Sequence, residues 1–260
     1  MEIRENRAIN RLRAGQEVAG SFTFSPDPAH TEIMGTAGLD FVMIDLEHAP
    51  LTISDVVHHV RAAQLTGISP FVRVRHNNAA DVGQILDVGA AGIMFPHVGL
   101  DAQATKSALQ AMRYHPEGIR PSCTGVRAVD YGLSPFNDYV TQSNEEVISI
   151  GLIEDQIVVD RIDEVLNDYD LDIVIPGSGD IATSLGLPGQ HTHPKVVESL
   201  MKVVDATKAH GKSKVGMYLT DPKLAPQWRE RGVEFFLISI DYRVLAQAYG
   251  SAIKDLSRPE

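Results

Sequence analysis

Short apolar runs alternate along the chain with longer segments in which apolar residues recur at helical spacing. The short runs are rich in β-branched residues and end at polar residues or glycine, as buried strands do. They predict eight strands, near residues 18–24, 41–45, 70–75, 92–96, 148–154, 172–176, 214–219 and 235–239. Strands that alternate with helices pair in parallel through right-handed crossovers. Eight such units predict an α/β fold, a (β/α)8 TIM barrel.

The segments between the strands carry helix signals. Their apolar spacing and end residues predict helices over 54–64, 102–112 and 194–210. The third begins with proline, which favours the first helical position, and Gly211 follows its end. Asp221 has the position of an N-cap, so a shorter helix should begin at Pro222.

One connection, residues 114–146, is much longer than the others and is rich in glycine and proline. Long irregular segments in a compact domain are usually functional or disordered. Its tyrosine, phenylalanine and arginine residues argue against disorder, so we expect a lid or a subunit contact. The chain as a whole, residues 1–260, should form a single barrel domain with this segment as a long loop insertion.

The net charge of −11 argues against a nucleic acid or an anionic membrane as partner. Cys123 is the only cysteine, which excludes an internal disulfide and favours a reducing compartment. Cys123 could instead be a nucleophile, but no partner motif marks it. No run approaches the roughly 20 apolar residues of a membrane span. The first residues lack the apolar core of a signal peptide, so we expect a cytoplasmic protein.

Two carboxylates, Glu154 and Asp180, come just after the fifth and sixth predicted strands. In a parallel barrel, the carboxyl ends of the strands converge on one rim, where such enzymes keep their chemistry. Carboxylate oxygens, together with water and an oxygen-rich substrate, suit a hard divalent cation. Each residue alone could be an ordinary loop carboxylate or a helix N-cap, but their recurrence after adjacent strands favours a metal site.

Other polar residues follow the second and third strands. Asp45 and His48 follow the second, and they are candidates for catalysis. Arg73, near the end of the third, is a possible fixed cation; Arg75 is an equal alternative, because alternate strand residues face the same side. Each has a structural alternative: a loop histidine, or an arginine that pairs with Asp45. The pair His191 and His193 resembles a metal motif, but it precedes a helix start, so a loop and capping role is favoured.

Four stretches together resemble the HpcH/HpaI family of metal-dependent pyruvate aldolases. In order they are VMIDLEHAP, QILDVG, RYHPEGIR and GSGD, at 42–50, 84–89, 113–120 and 177–180. The resemblance runs over nearly the whole chain, from about residue 18 to 252. It implies a (β/α)8 barrel assembled as a hexamer or trimer, with the last helix, 242–256, swapped between subunits. It also implies reversible aldol cleavage that releases pyruvate and an aldehyde.

Carried over by motif, the resemblance implies roles for several residues. Glu154 and Asp180 match the ligands of a divalent metal, which would be Mg, Mn or Co. Arg73 matches the arginine that stabilises the enolate, and His48 matches the catalytic base. Asp87 matches the acid thought to raise the basicity of that histidine. By our layout, however, Asp87 ends the helix before the fourth strand, so it would have to act across a subunit boundary.

The resemblance also implies a substrate site. Gly179 matches the residue whose backbone N–H binds the pyruvate carboxylate, and Phe22 falls at an aromatic lining position. Two departures concern the same site: Leu152 stands where relatives commonly have glutamine, and Gly-Ser-Gly-Asp replaces Gly-Pro-Ala-Asp. Leu152 and Ser178 are therefore candidate substrate contacts that would alter the choice of substrate.

The sequence therefore predicts a metal-dependent carbon–carbon lyase that acts on a small 2-oxo acid and an aldehyde. Two enzymatic alternatives remain on the same site: decarboxylative bond formation of the macrophomate synthase kind, and an acyl-CoA lyase. A CoA lyase should present a basic nucleotide patch at the rim, and no clear one is seen in the sequence. A barrel that binds ligand without catalysis is a further alternative, against which the joint presence of Glu154, Asp180, His48 and Arg73 argues.

Overall fold

The computed structural model describes residues 6–256, and in it the eight strands form one closed parallel barrel. Each strand pairs with the next along the chain, and β8 pairs with β1 to close the barrel. All strand bounds lie within two residues of those predicted, which confirms the (β/α)8 fold. The strands are β1 (Val18–Thr23), β2 (Phe41–Asp45), β3 (Ser69–Arg73), β4 (Gly92–Phe95), β5 (Ile148–Ile153), β6 (Ile173–Pro176), β7 (Lys214–Leu219) and β8 (Val233–Ile240).

Twelve α-helices occur within the described residues, most of them between strands. As predicted, Pro194 begins the longest of them and Gly211, with φ of 76°, caps its end. None of these helices combines the length and the apolar character needed to cross a membrane. They are α1 (Arg7–Arg13), α2 (Ala29–Thr36), α3 (Ile53–Thr66), α4 (Ala79–Asp87), α5 (Ala102–Gln110), α6 (Phe136–Glu146), α7 (Gln156–Asp160), α8 (Ile162–Asp168), α9 (Ser178–Ser184), α10 (Pro194–His210), α11 (Ala225–Arg229) and α12 (Asp241–Asp255).

The barrel interior is packed with aromatic and aliphatic side chains. The ring of Phe41 stacks on that of Phe235 with centroids 4.3 Å apart, and Phe71 lies 5.4 Å from Phe41. A second apolar layer fills the space between the strands and the surrounding helices. The barrel is therefore a solid core and not a pore, and chemistry is confined to its ends.

The amino end of the barrel is closed by α1. Its apolar residues Ala8, Ile9 and Leu12 are buried against the interior cluster. Just before the helix, the side chain of Asn6 donates hydrogen bonds to the carbonyl oxygens of Ala91 and Glu146. The opposite end, where the carboxyl ends of the strands meet, is called the mouth below.

Residues 114–146 are not an irregular loop throughout. They contain a 3-10 helix, Arg127–Gly132, followed by α6. Tyr114, Val129 and Tyr139 form a small apolar core of their own. Arg127 donates to Gln64 of α3 and to the carbonyl of Val88, just after α4. The segment therefore packs on helices of its own chain, and the lid or subunit contact expected from the sequence stays a prediction.

The last helix, α12, leaves the barrel almost at once. Asp241 is its only buried residue. Six apolar residues along it are at least 41% exposed in the single chain: Tyr242, Val244, Leu245, Tyr249, Ile253 and Leu256. An apolar helix face that no other described residue covers is typical of an interaction surface.

Candidate active site

Arg73 and Asp45 form a buried ion pair where β2 and β3 end. The two residues lie side by side in the register of the strands. Asp45 is fully buried and accepts hydrogen bonds from Nε of Arg73 at 3.0 Å and from Nη2 at 2.5 Å. This bidentate contact fixes the plane of the guanidinium group. Burial lowers the pKa of Arg73, but Asp45, Glu47 and Glu154 raise it by more.

Glu47 approaches the same guanidinium group from the loop after β2. Its Oε2 lies 3.2 Å from Nη1 of Arg73 and 3.7 Å from Nε2 of His48. Asp45 holds this loop, because its Oδ1 accepts the backbone N–H of Glu47 at 2.8 Å. Burial raises the pKa of Glu47, although Arg73 and His48 oppose the rise. The ring of His48 remains 59% exposed, so a ligand in the mouth can reach it.

His97 lies just beyond β4 and joins this acidic cluster. Its backbone N–H donates to Oε1 of Glu154 at 2.8 Å, and its Nδ1 lies 3.0 Å from Oδ2 of Asp155. Its Nε2 is 3.9 Å from Oε1 of Glu47. Burial lowers the pKa of His97, but the three carboxylates raise it by more. His97 has a φ of 49°, a conformation that costs a non-glycine residue roughly 1–2 kcal/mol. The contacts with the carboxylates offset that strain.

Glu154 follows β5 directly and is only 4% exposed. Burial raises its pKa from the ordinary 4.5 to about 7; His97 opposes the rise, and Asp180 and Glu47 add to it. Its second oxygen, Oε2, faces Gly177. A Cβ atom at Gly177 would lie 2.8 Å from that oxygen and 2.6 Å from Cβ of Glu154. Glycine here leaves space beside Glu154 that any larger residue would fill.

Asp180 lies in the first turn of α9, the helix that follows β6, and its side chain is exposed. Its charge raises the pKa of Glu154, so the two carboxylates are within electrostatic reach. Ser178 and Gly179 precede it in the same turn. Backbone N–H groups in the first turn of a helix have no acceptor within the helix and can meet an anionic group.

Within residues 6–256, no three or more His, Cys, Asp or Glu side chains converge into a metal cage. Two carboxylates with open positions still suit Mg²⁺-like cations, because these retain water and substrate oxygens as further ligands. The donor set and the free space at Gly177 therefore fit such an ion.

An apolar wall faces the carboxylates across the mouth. The ring of Phe22, in β1, lies below the guanidinium group of Arg73, with 4.6 Å from Cζ to the ring centroid. Tyr218, in β7, contacts Phe22 with an edge-on geometry and a centroid distance of 6.0 Å. Leu152 is buried in the same interior cluster. Arg73 is therefore held between carboxylates and an aromatic face, which restricts its motion.

Asp87 does not reach this cluster within its own chain. It ends α4, which returns the chain to the amino end of the barrel. There its Oδ1 lies 2.8 Å from Nη2 of Arg120, a fully buried cation. This position at the amino end of the barrel is the one expected from the predicted order of helices and strands. Asp87 could therefore reach a mouth only if that mouth belonged to a neighbouring subunit.

Arg75 is not an alternative to Arg73. β3 ends at Arg73 and Arg75 lies exposed in the following loop, so the strand alternation that made the two equivalent does not extend to Arg75. There its Nε donates to the carbonyl of Leu46 at 3.1 Å. The capping role expected for His193 is confirmed, since its Nδ1 accepts the N–H of Lys195 at 3.3 Å.

Glu47 and His97 are absent from the residues predicted to act, although both contact the predicted ones. His97 is the second residue after β4, so the strand-end rule used for the other strands would have found it. Glu47 stands between two predicted residues, Asp45 and His48. Its neighbours in the sequence gave no sign of which way its side chain turns.

A cavity of about 660 Å³ lies at the other end of the barrel. Its lining includes Asn6, Arg11, Gln64 and Tyr139. We place the candidate active site at the mouth nonetheless, because buried ionisable groups from β2, β3 and β5 converge there. In (β/α)8 enzymes the chemistry lies at this end.

Comparison with known proteins gives a consistent result. The model of the HpcH/HpaI aldolase/citrate lyase family matches residues 19–248. The chain is 32% identical over 236 residues to a 5-keto-4-deoxy-D-glucarate aldolase of Salmonella paratyphi C, covering 91% of each chain. It is 30% identical over 247 residues to a pyruvate aldolase of Rhizobium etli, covering 95% of this chain and 96% of the relative.

Solved structures show the same likeness. An HpcH/HpaI aldolase of Desulfitobacterium hafniense superposes with a TM-score of 0.91 at 29% identity, over 98% of both chains. A citrate synthase, SbnG, gives 0.84 at 30% identity, over 96% of this chain and 98% of the other. A macrophomate synthase superposes with a TM-score of 0.77 at 25% identity, over 95% of this chain and 89% of the other. The chain therefore belongs to the HpcH/HpaI aldolase/citrate lyase family and is a carbon–carbon lyase.

Proposed function

We propose that the protein is a divalent-metal-dependent aldolase. It would cleave a 4-hydroxy-2-oxo acid reversibly into pyruvate, or a close 2-oxo acid, and an aldehyde. The observation that carries the proposal is the pairing, at one mouth, of a fixed buried cation with a buried carboxylate that has an open side. These are Arg73 and Glu154. The relatives named 5-keto-4-deoxy-D-glucarate aldolase and pyruvate aldolase support the same chemistry.

Glu154 and Asp180 would hold the cation, with Mg, Mn or Co as candidates. A carboxylate whose burial raises its pKa to about 7 gains from a neighbouring cation, since that charge favours its ionised form. Gly177 keeps the space next to it free. When bound, a divalent cation supplies Lewis acidity to the 2-oxo and carboxylate oxygens of the substrate.

Arg73 would stabilise the charge that develops during cleavage. When the C3–C4 bond breaks, its electron pair passes to C3 and the pyruvate part becomes an enolate. Asp45 and Glu47 already hold the guanidinium group in place, so little reorganisation is needed as that charge grows. Preorganised donors of this kind are usually the largest contribution to such catalysis.

His48 is the proposed base for the 4-hydroxyl proton. Its exposed ring is accessible to substrate, and Oε2 of Glu47 lies 3.7 Å from its Nε2. Asp87 could raise the basicity of His48 only from a neighbouring subunit. The backbone N–H groups of Gly179 and Ser178 would bind the substrate carboxylate.

The size and polarity of the substrate would depend on Phe22 and Leu152. Both are buried at the inner end of the mouth. Leu152 offers no hydrogen bond to a substrate, so contacts from backbone and water would take that role.

A second candidate is carbon–carbon bond formation from the same enolate. The structural likeness to a citrate synthase and a macrophomate synthase favours it. In that case the enolate would arise by decarboxylation of a 2-oxo diacid. Release of CO2 from oxaloacetate, without pyruvate release from any 4-hydroxy-2-oxo acid of a panel, would favour this candidate over the aldolase.

We also propose that the protein assembles as a homo-oligomer, a trimer or hexamer, in which α12 packs on a neighbouring subunit. The exposed apolar face of α12 supports this, because such a face in water favours association.

The metal proposal predicts that Glu154→Gln and Asp180→Asn each abolish cation binding and cleavage while the fold remains. Both side chains lie at the mouth, outside the packed interior. Calorimetric titration with Mn²⁺ measures binding, and circular dichroism checks the fold. Full activity of either variant after chelation and metal depletion would show that the assignment is wrong.

The pKa of Glu154 predicts a pH effect on the metal-free protein. A raised pKa means that the folded state favours the neutral acid. The corresponding stabilisation is complete below pH 4.5 and is lost as the pH rises through about 7, a change on the order of 3 kcal/mol. Glu154→Gln is neutral at every pH and should lack this loss. Urea unfolding of both proteins in chelator, from pH 4.5 to 8, measures it; parallel curves would contradict the prediction.

The enolate proposal predicts that Arg73→Ala lowers kcat by about 10²–10³ and changes KM less. Arg73→Lys should recover only part of the lost kcat, because lysine lacks the planar guanidinium group with its paired N–H donors. Exchange of the pyruvate methyl protons, which needs the enolate but no aldehyde, should fall in parallel with cleavage. Arg61→Gln, on the outer surface of α3, is the control. Exchange that survives while cleavage is lost would place Arg73 at the aldehyde end instead.

The assembly proposal predicts that deletion of the residues after Asp241 yields smaller or aggregated species. The deletion removes the apolar face of α12 and leaves the barrel strands intact. Light scattering coupled to size-exclusion chromatography measures the mass. A truncated protein that keeps the native mass and full activity would refute the proposed role of α12.

A further inference from the structure

The turn after β4 and the segment after β5 lie side by side at the mouth, because the two strands pair in parallel. His97 belongs to the turn, and Glu154 and Asp155 begin the segment. Two hydrogen bonds from His97 join them. Its backbone N–H donates to Oε1 of Glu154 at 2.8 Å, and Nδ1 of its ring lies 3.0 Å from Oδ2 of Asp155. One residue thus contacts two consecutive carboxylates.

The ring of His97 acts as a hydrogen-bond donor to Asp155. A carboxylate oxygen only accepts, so the hydrogen of this contact lies on Nδ1, whether or not Nε2 also carries one. Nε2 lies 3.9 Å from Oε1 of Glu47, which is too far for a hydrogen bond. Among the described residues, Asp155 is therefore the one hydrogen-bond partner of the ring.

The side chain of Asp155 is used for this contact and not for its own helix. Asp155 occupies the N-cap position of α7, where aspartate usually accepts an N–H of the first turn, but its side chain makes no such bond. On the other side of Glu154, the carbonyl of Ile153 accepts the N–H of Gly177 at 2.9 Å. The backbone is thus held by the barrel before Glu154 and by His97 after it.

The turn that carries His97 is itself rigid. The carbonyl of Pro96 accepts a hydrogen bond from the side chain of Asn77 at 2.9 Å. The N–H of Val98 donates to the carbonyl of Leu152 in β5 at 3.1 Å. These bonds on both sides of His97 maintain its φ of 49°. The N–H that meets Glu154 therefore has a fixed direction.

This arrangement makes the two oxygens of Glu154 unequal. Oε1 is engaged by the N–H of His97, whereas Oε2 faces the space that Gly177 leaves free. A cation in that space would meet one oxygen of the carboxylate and not both. Mg²⁺ and Mn²⁺ accept single oxygens in a compact octahedral shell, whereas the larger Ca²⁺ takes six to eight ligands and often both oxygens of a carboxylate.

We propose that His97 and Asp155 are positioning residues that hold Glu154 to one-oxygen contact with the metal and so select a small octahedral cation over Ca²⁺. The inference rests on the proposed metal-dependent cleavage and concerns the choice of cation at the same site. Without the ring of His97, Asp155 would be released and the segment that carries Glu154 could turn. Both oxygens of Glu154 could then face one ion, a change from which Ca²⁺ gains most.

The test measures cation affinities of the complete protein without substrate. The EPR signal of free Mn²⁺ gives the dissociation constant for Mn²⁺, and competition gives those for Mg²⁺ and Ca²⁺. The wild-type protein should bind Mn²⁺ and Mg²⁺ more tightly than Ca²⁺. His97→Leu and Asp155→Ala should each weaken Mn²⁺ binding by about tenfold to a hundredfold, as the loss of a residue that orients a metal ligand typically does. Both should weaken Ca²⁺ binding less, so the ratio of the two affinities narrows.

Further variants separate the hydrogen bond from other effects. His97→Asn should restore most of the Mn²⁺ affinity, because asparagine tolerates a positive φ and its amide N–H stands at the position of Nδ1. His97→Gly accepts the same φ but lacks the donor, so it should remain weak. The double variant of His97→Leu and Asp155→Ala should be no weaker than either single one, because both remove the same contact. His58→Leu, an exposed histidine on α3, is the control and should match the wild-type protein.

Circular dichroism checks that each variant is folded. Wild-type Mn²⁺ affinity in His97→Leu or His97→Gly overturns the positioning role. Losses that add in the double variant show that Asp155 acts through its charge alone, and they overturn the role of the hydrogen bond. A ratio of Mn²⁺ to Ca²⁺ affinity that does not change, or a wild-type preference for Ca²⁺, overturns the selection of the cation. If the wild-type protein binds Mn²⁺ and exchanges the methyl protons of pyruvate in any of these cases, only the present inference is wrong. If it binds no divalent cation, the proposed metal-dependent function itself fails.

Discussion

Compensation of buried negative charge is the constraint on which the mouth of this barrel depends. Asp45, Glu47 and Glu154 all lie out of bulk water, where an unpaired carboxylate costs several kcal/mol. Arg73 is the buried guanidinium group that meets them, and its hydrogen bonds go to Asp45, with Glu47 close by. Among the described residues, Glu154 accepts a hydrogen bond only from the backbone N–H of His97, whose Nδ1 lies 3.6 Å away, and its pKa rises to about 7. Among the described residues, Glu154 thus has no guanidinium or ammonium group as a direct partner. The proposed metal would supply that positive charge.

The two ends of the barrel divide stability from chemistry. At the amino end, α1 inserts apolar residues into the interior, and the buried Arg120 pairs with Asp87 and lies 4.6 Å from the ring centroid of Tyr114. At the mouth, by contrast, His97 adopts a strained backbone and Glu154 resists ionisation. A fold can maintain such costs at one end only if the other end and the packed interior supply the stability.

The strands and the main acidic residues were predictable because both depend on local pattern. A short β-branched run specifies a buried strand, and closure of the barrel then assigns Glu154 and Asp180 to one rim without further information. The orientation of Glu47 depends on Arg73 and His97, and the positive φ of His97 accompanies its contacts with Glu154 and Asp155. These partners are distant in the sequence, so no local pattern encodes them. The glycines and prolines of 114–146 correctly predicted irregular backbone but hid α6, which is stabilised by packing of Phe136 and Tyr139 on Tyr114.

The last helix joins the mouth to the surface of the protein. Its first residue, Asp241, is bound to the loop after β1, and Arg243 stands two residues from that anchor. The same rigid helix continues to Asp255 with its apolar face uncovered. A neighbouring subunit that covered this face, as proposed, would contact the same helix whose first turn lies beside Tyr218. The anchor at Asp241 lies within the chain itself, so it holds the first turn of α12 at the mouth without help from a partner. In the proposed assembly, one helix would therefore contribute both to the mouth and to the contact between subunits.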